Sequence, residues 1–322
     1  CVGSNEETMR WLELSPGYAC NCRCTGCFSC SASESQQMGW PEVLRWLKWG
    51  RKGGAIHLWL SGGEPTIRRD FLRTLRAGKA LGYERIKVQT NGMLFAYEGF
   101  AEKAIGAGMN EVNLLLKSLN PRIHDGLNRT PGSHQLLTKG LKRFNALDEP
   151  PRLAGDILLT TRNVKELPEL IDHYLEQGLV HFNLWLFSLV DQGQRDLRRL
   201  VPRLTDCNDL IVEAYDRAKA AGATVCSLNT PYCLVPPSRW DMQFDAGGME
   251  LAVVNPGSPP FMLETSSIEQ GIYVDECEGC ALRPVCRGMR SDYLDLHGVD
   301  ELQAIDQQTW LDHQHFGSKL DI

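Results

Sequence analysis

Short apolar runs alternate with longer amphipathic segments along the first two thirds of the chain, and each such pair predicts one β-strand followed by one α-helix. The predicted strands cover residues 11–15, 55–61, 85–90, 111–118, 155–160 and 180–187. The predicted helices cover residues 40–51, 71–81, 100–106, 133–147, 167–177 and 205–221. This alternation is typical of a parallel sheet built from βαβ units. Because six units are fewer than the eight of a closed barrel, the pattern predicts an open, curved α/β sheet, a partial TIM-like (β/α)6 barrel.

The pattern changes after Gly222. Short β-like pieces occupy residues 223–228 and 249–255, with proline-rich breaks between and after them. A cysteine-rich run follows between Cys277 and Cys286. The sequence therefore predicts two domains, a barrel over residues 1–222 and a smaller cysteine-rich α+β extension over residues 223–322.

Composition narrows the class of protein. The chain has 322 residues, of which 43% are hydrophobic, and this supports an ordinary globular core. A net charge of −6 without a basic block argues against a nucleic-acid partner. No long uncharged apolar window predicts a membrane span. The 12 cysteines are too many for an ordinary cytosolic enzyme. Since no secretory signal opens the sequence, we expect metal binding in the reducing cytoplasm and no disulfide framework.

Three of these cysteines follow the first predicted strand with the spacing C-x3-C-x2-C, at Cys20, Cys24 and Cys27. Three thiolates cannot close a tetrahedral zinc site without a fourth ligand. They can hold three irons of a [4Fe–4S] cube and leave the fourth iron open to chelate a small molecule. A zinc loop and a group of buried cysteines are the alternatives. Cys22 and Cys30 interleave with the triple and are left unassigned.

The spacing resembles the signature of the radical S-adenosylmethionine (radical SAM) superfamily. Gly62-Gly63-Glu64-Pro65 directly follows the second strand and matches the superfamily's GGEP motif, whose role there is to hold the methionyl amine of S-adenosylmethionine. From the residues alone, this stretch can also be a tight turn with a capping acid. Gly26 stands where the superfamily usually has an aromatic residue. The resemblance implies the partial barrel, and it implies reductive cleavage of S-adenosylmethionine to a 5′-deoxyadenosyl radical that abstracts hydrogen from a substrate.

Polar residues also follow the third and fourth predicted strands. Since sites in parallel α/β folds form at the carboxyl ends of strands, we expect Thr90, Asn91 and Ser118 on the same face as the cysteine loop. The resemblance implies that Thr90 and Asn91 contact the sugar or carboxylate of the cofactor and that Ser118 belongs to the same site, although Thr-Asn-Gly is also an ordinary turn. Asn120 replaces an acidic residue of the superfamily, which weakens an acid–base role there. For His124 we favour a structural hydrogen bond over catalysis, so no catalytic residue is assigned.

A second set of cysteines lies near the end of the chain. Cys277, Cys280 and Cys286 have the spacing C-x2-C-x5-C, and Cys233 upstream can supply a fourth ligand. Four thiolates satisfy either a complete [4Fe–4S] cube or one zinc ion. The run resembles the SPASM/twitch extensions of radical SAM enzymes, which implies one auxiliary [4Fe–4S] cluster that transfers electrons or shapes the substrate pocket. Cys226 is unassigned, and Cys1 and Cys207 read as incidental.

Together these features predict a radical SAM enzyme, oxidoreductase-like, that receives electrons from a donor such as flavodoxin or ferredoxin. We favour a ribosomally synthesised peptide as its substrate, with oxidation or rearrangement of a sugar or small metabolite as the alternative. A rival class is a non-catalytic iron–sulfur electron carrier or scaffold, and the Gly-Gly-Glu-Pro motif speaks against it.

Overall fold

A computed structural model describes residues 9–27, 35–189, 195–244, 246–266 and 271–313. Cys1, Phe28 and Cys30 lie outside these residues. Within them, the strands are β1 Trp11–Leu14, β2 His57–Leu60, β3 Arg85–Thr90, β4 Glu111–Leu116, β5 Arg152–Leu159, β6 Leu179–Leu186, β7 Thr224–Leu228, β8 Leu251–Val254 and β9 Phe261–Met262. The helices are α1 Trp40–Lys52, α2 Phe71–Ala80, α3 Phe100–Ala107, α4 Pro121–Asn128, α5 Ser133–Asn145, α6 Leu167–Glu176, α7 Asn208–Ala220, α8 Ala246–Met249, α9 Ser291–His297 and α10 Gln307–His313.

The described strands form one sheet in the order β7-β6-β5-β4-β3-β2-β1-β8-β9. All neighbours from β7 through β8 pair in parallel, and only β9 runs antiparallel, against β8. The structure therefore confirms the α/β class, the parallel sheet and each of the six strands predicted in the first part of the sequence.

Two strands that the sequence analysis placed in the smaller domain belong to this same sheet. β7 extends it beside β6, and β8 extends it beside β1, with Trp11 opposite Leu251. The sheet therefore continues past residue 222 and has more strands than the predicted (β/α)6 unit. The physical reason is that a strand's own sequence sets its conformation but does not specify which distant strand it pairs with. The division into two domains at this point stays a prediction.

The two faces of the sheet are covered differently. On the outer face, Leu12 and Leu58 are completely buried and share an apolar cluster with Leu47 of α1. On the inner face, Trp11 of β1 packs in a second cluster with Cys226 of β7. Because β7 is an edge strand and β1 lies near the opposite edge, this shared inner cluster shows that the sheet curls round toward itself as a partial barrel.

The interior of this partial barrel also holds a polar network. The ammonium group of Lys87 lies 3.4 Å from the carboxylate of Glu111. The carboxylate of Asp156 accepts hydrogen bonds from the amides of Gln89, Asn113 and Asn183 at 2.5, 2.9 and 2.8 Å. The buried carboxylates of Glu111 and Asp156 are tolerated because each has cationic or amide partners.

Helix α4, which contains His124, is not among the helices predicted from the sequence. It begins with the side chain of Asn120 accepting a hydrogen bond from the backbone N–H of Arg122, with Pro121 in the first turn. These are ordinary start signals of a helix. In the part of the chain that the structure describes, no helix is both long and apolar enough to cross a membrane.

Candidate functional site

The cysteine loop after β1 is held against the glycine turn after β2. The backbone N–H of Gly63 donates to the carbonyl of Gly17, and that of Glu64 donates to the carbonyl of Ala19, both at 2.9 Å. A Cβ atom on Gly63 would lie only 2.6 Å from the carbonyl carbon of Tyr18. Gly62 has φ of +104°. The two glycines are therefore required because the backbones approach closely and one of them adopts a conformation that side chains disfavour.

Glu64 joins the ends of β2 and β3. One of its carboxylate oxygens accepts hydrogen bonds from the backbone and hydroxyl of Thr66, at 3.1 and 2.5 Å, and from the hydroxyl of Thr90 at 2.8 Å. The other oxygen accepts from the backbone N–H of Asn91 at 2.8 Å. Burial raises the pKa of Glu64, while these hydrogen bonds act in the opposite direction. Through these hydrogen bonds Glu64 stabilises the conformation of the turn, and Pro65 is buried directly after it.

Asn91 connects this turn to the cysteine loop. Its side-chain amide donates to the side-chain oxygen of Asn21 at 2.7 Å and to the sulfur of Cys22 at 3.5 Å. The thiol of Cys22 also contacts the sulfur of Met93, at 3.6 Å. Cys22 is buried. The interleaved cysteine therefore points toward the protein core beside Met93.

The other side of the cysteine loop rests on the end of α4. The thiol of Cys24 donates to the side-chain oxygen of Asn128 at 3.2 Å. The backbone N–H of Arg23 donates to the carbonyl of Asn128 at 3.2 Å, and that of Thr25 donates to the carbonyl of Leu127 at 2.7 Å. Hydrogen bonds therefore hold the cysteine loop between the glycine turn on one side and α4 on the other.

The thiols on this loop lie close enough to influence one another. A hydrogen bond with Cys20 raises the pKa of Cys22 to about 11. A hydrogen bond with Cys22, together with burial, raises the pKa of Cys24 above its usual range. The thiols of Cys22 and Cys24 are therefore protonated at neutral pH, and a metal that binds Cys24 must displace its proton.

The residue between Cys24 and Cys27 that departs from the superfamily pattern has a specific neighbour. Gly26 has φ of +75°, and a Cβ atom placed on it would collide with the ring of Phe187, just beyond β6. Phe187 is completely buried. An aromatic ring therefore stands next to this position, but it is supplied from the other side of the site.

Ser118 and His124 are placed differently from the residues above. The hydroxyl of Ser118 accepts a hydrogen bond from the backbone N–H of Asn120 at 3.0 Å, within its own turn. His124 is 1% exposed, and burial lowers its pKa to about 4, so its ring is neutral. The backbone of Ser118 forms a hydrogen bond with the His124 ring. These contacts hold the loop after β4 in place and do not join it to the cysteine loop.

The late cysteines meet in one place. A cavity is lined by all four predicted ligands, Cys233, Cys277, Cys280 and Cys286. Burial raises the pKa of Cys233 to about 11, and the other three thiols add to the effect. Backbone N–H groups of Gly288 and Ile305 donate to the sulfurs of Cys286 and Cys280, each at 3.4 Å. Such N–H···S bonds stabilise thiolates and tune the potential of iron–sulfur clusters.

The donor sets fit the groups that the sequence implies. Among the described residues, no three His, Cys, Asp or Glu side chains converge on the position of one metal ion. A [4Fe–4S] cube distributes its cysteines over separate irons, so its ligands stand apart from one another. The early loop offers three thiols, and the late cavity offers four.

Comparison with known proteins identifies the family. Residues 14–172 match the model of the radical SAM superfamily. This part of the chain belongs to that superfamily of enzymes. The probable GTP 3′,8-cyclase of Sulfurisphaera tokodaii is 27% identical over 174 residues, which are 54% of this chain and 54% of the relative. The AdoMet-dependent heme synthase of Methanosarcina barkeri is 28% identical over 186 residues, 57% of this chain and 51% of the relative. The chain thus spans about half the length of the curated relatives it matches.

Solved structures match over more of the chain. Streptococcus suis SuiB bound to the precursor peptide SuiA has a TM-score of 0.64 and 15% identity, covering 92% of this chain and 75% of that one. The anSMEcpe structure with bound AdoMet and the Cp18Cys peptide has a TM-score of 0.58 and 13% identity, covering 96% of each chain. At these identities, the similarity establishes the fold alone.

The structure adds residues to the site that the sequence analysis did not name. Asn21 and Asn128 fix the two sides of the cysteine loop, and Phe187 packs beside Gly26. Pro131-Gly132 is a signal that a helix ends shortly before it, so a helix end near Asn128 could have been predicted. Its contact with Cys24, which lies 104 residues away, could not, because no local pattern reports a long-range contact.

Proposed function

We propose that this chain is a radical SAM enzyme that binds a [4Fe–4S] cluster through Cys20, Cys24 and Cys27. The observation that carries the proposal is the three-thiol loop pinned to the Gly62–Gly63 turn at the carboxyl end of the parallel sheet. The set is one ligand short of saturating a cube, which leaves a coordination position for a cofactor. S-adenosylmethionine bound there supplies a 5′-deoxyadenosyl radical that takes a hydrogen atom from the substrate.

The surrounding residues position the cofactor in this proposal. Carbonyl groups of the turn from Gly62 to Pro65 receive the methionyl amine, and Glu64 holds that turn rigid through its hydrogen bonds. Thr90, Asn91 and Ser118 contact the sugar or the carboxylate of S-adenosylmethionine. Since the Ser118 oxygen accepts from Asn120, its proton is available to donate to a bound oxygen.

We further propose that Cys233, Cys277, Cys280 and Cys286 bind one auxiliary [4Fe–4S] cluster, so that residues 223–322 act as a SPASM/twitch-like extension. The shared cavity supports this assignment, as do the two backbone N–H···S hydrogen bonds. This auxiliary cluster would pass electrons to or from the substrate radical, or it would border the substrate pocket. Zinc at the same four thiols is the competing assignment.

For the substrate we propose a ribosomally made peptide. The fold similarity to two proteins solved with peptides extends over more than nine tenths of this chain. A small-molecule substrate is the second candidate, favoured by the names of the curated relatives, whose matches cover about half of the chain. A non-catalytic iron–sulfur carrier is the third, from a different class.

The activity is tested by anaerobic reconstitution, reduction with dithionite and measurement of 5′-deoxyadenosine. We expect production by the wild type and none by Cys24→Ala. Cys207→Ala is the matched control, because the Cys207 thiol is buried and donates to the carbonyls of Arg203 and Leu204, away from both cysteine groups. Production by Cys24→Ala at the wild-type rate would overturn the assignment.

A metal count tests the auxiliary centre. Two cubes require about eight irons per chain, and we expect Cys280→Ala to retain about four. About four irons with one zinc in the wild type would assign the late cysteines to zinc. In these samples, flavodoxin or ferredoxin should replace dithionite as the electron donor.

The substrate class is tested by co-expression with each short peptide encoded beside the gene, followed by mass spectrometry of that peptide. A mass change that requires Cys24 supports peptide modification. An unchanged peptide pool, together with a small metabolite consumed in the same cells only when Cys24 is present, supports the second candidate instead.

A further inference from the structure

The inner face of the sheet opens near its carboxyl end. Five strands each carry one partly buried residue there, between two neighbours that are buried. We call these residues the inner rim: Glu13 of β1, Gln89 of β3, Leu115 of β4, Leu158 of β5 and Trp185 of β6. Each stands two positions after a residue of the barrel interior, respectively Trp11, Lys87, Asn113, Asp156 and Asn183. Since alternate residues of a strand share a face, the inner rim borders a space inside the curled sheet.

The inner rim is polar on one side and apolar on the other. Its carboxyl and amide groups come from β1 and β3, and its two leucines and its tryptophan come from the adjacent strands β4, β5 and β6. The hydroxyl of Ser61, which directly precedes Gly62, donates to one carboxylate oxygen of Glu13 at 2.6 Å. The polar half of the rim therefore lies beside the turn that holds the cofactor in the proposed function.

The polar half presents acceptors that lack donors. As a carboxylate, Asp156 can only accept, so the amides of Gln89 and Asn113 must turn their NH₂ groups toward it. The side-chain oxygen of Asn113 is then buried without a hydrogen-bond partner. Within the described ranges, the second carboxylate oxygen of Glu13 and the side-chain oxygen of Gln89 also accept no hydrogen bond. These oxygens suit a ligand that brings hydrogen-bond donors.

The distribution of charge favours a donor that is positive. Three cationic side chains surround the carboxylate of Glu111 at 2.7, 3.4 and 3.9 Å, namely those of Arg85, Lys87 and Arg152. Glu13 and Asp156, in contrast, are hydrogen-bonded to neutral hydroxyl and amide groups. Burial raises the pKa of Glu13, while the Ser61 hydrogen bond and the charge of Lys87 act in the opposite direction. A cation bound beside Glu13 would offset the cost of burying its charge.

We propose that the inner rim selects the substrate by taking a basic side chain of the peptide. The ammonium or guanidinium group binds Glu13, and the hydrocarbon stem packs on the apolar half of the rim. Lysine and arginine combine such a stem with a charged end. The proposal rests on the proposed function, because it names the class of side chain that the proposed enzyme binds. Glu13 is a binding residue in this role and takes no part in a redox step.

The test compares three probes, the N-acetyl N-methylamides of lysine, norleucine and glutamate. Norleucine keeps the stem of lysine and lacks only the ammonium group, so the comparison isolates the charge. The reconstituted protein with S-adenosylmethionine is unfolded thermally under anaerobic conditions at increasing probe concentration, and the rise in Tm gives an apparent Kd. We expect the lysine probe to bind the wild type about tenfold more tightly than the norleucine probe. The glutamate probe should bind more weakly than either.

Two variants with the same chemical change locate the effect. Glu13→Gln should weaken binding of the lysine probe to the level of the norleucine probe, and it should leave the norleucine probe within about threefold of its wild-type Kd. Glu102→Gln removes the same charge from the exposed surface of α3 and should keep the wild-type preference. Should Glu13→Gln fail to fold, as judged by circular dichroism, the comparison of the three probes on the wild type decides the proposal.

Equal affinity of the wild type for the lysine and norleucine probes overturns the proposal. A lysine preference that survives in folded Glu13→Gln overturns it as well. The wild-type sample is also assayed for 5′-deoxyadenosine. If it makes 5′-deoxyadenosine and does not distinguish the probes, only the role of the inner rim is refuted. If it makes none, the proposed function is refuted, and the inner rim is no longer a substrate site.

Discussion

Substituting alanine for Gly63 tests how the cysteine loop is held. The new methyl group would press on the carbonyl of Tyr18, so the loop and the turn must move apart. Two backbone hydrogen bonds, from Gly63 to Gly17 and from Glu64 to Ala19, would then lengthen. Each contributes about 1 kcal/mol, and the overpacking costs about 1–3 kcal/mol. We therefore expect the free energy of unfolding to fall by about 3–5 kcal/mol.

The assay is thermal unfolding of the apoprotein under anaerobic conditions, with iron content measured after reconstitution. At about 2 °C per kcal/mol for a chain of this size, Tm should fall by about 6–10 °C. Iron should drop by about four atoms per chain, since the loop that supplies Cys24 is displaced.

Gly106→Ala is the matched control. Gly106 lies within α3, and a Cβ atom there would meet nothing within 4 Å. The same substitution should therefore raise stability by about 0.5–1 kcal/mol, because alanine loses less conformational freedom in a helix than glycine does. Wild-type Tm and iron content in Gly63→Ala would refute the reasoning that close backbone approach at this residue positions the loop.

Three further predictions concern buried polar groups. In Glu64→Gln, an NH₂ group replaces one of the two carboxylate oxygens, so only one oxygen remains to accept hydrogen bonds. The free energy of unfolding should therefore fall by about 1.5–3 kcal/mol, and S-adenosylmethionine should bind more weakly. Glu102→Gln on the surface of α3 should match wild type in both measurements. Asp156→Asn should lower stability by about 1–3 kcal/mol in urea titrations, because at least one neighbouring amide donor is left without an acceptor; an unchanged midpoint would count against the interior network. Burial lowers the pKa of His181 to about 4, so the unfolded chain takes up a proton below about pH 6.5 and the folded chain does not. Stability is therefore lost as pH falls from about 6.5 to 4, by about 2 kcal/mol between pH 7 and 5, and His181→Gln should reduce that loss.

The sequence carried enough information to predict most of the strands. Most of the predicted strands have the short apolar run of a buried parallel strand, and residues 85–90 alternate polar and apolar side chains. Both patterns are local to the strand, so they could be recognised without knowing its partners. Pairing was not predictable in the same way. β8 is a short apolar run like the others, and its place beside β1 is set by packing between distant parts of the chain.

In the candidate site, too, local features were predictable from the sequence and long-range contacts were not. The spacing of Cys20, Cys24 and Cys27 is local, so it could be read directly from the sequence. Helix α4 was overlooked, although Asn120 and Pro121 provide ordinary helix-start signals. The contacts that orient the cysteine loop could not be predicted, because Asn128 comes from a different part of the chain and reaches Cys24 only in the folded protein.

The pairing of β1 with β8 has a consequence for synthesis. The two strands are about 240 residues apart in the chain, so one edge of β1 has no partner until those residues have been made. At translation rates of about 5–20 residues per second, this interval is roughly 10–50 seconds. During it, β1 presents a free apolar edge of the kind that recruits foreign strands. The cysteine loop that follows β1 emerges at the start of this interval, before the barrel can be complete. Chaperone binding and iron delivery on the ribosome would therefore compete for the same short stretch of nascent chain.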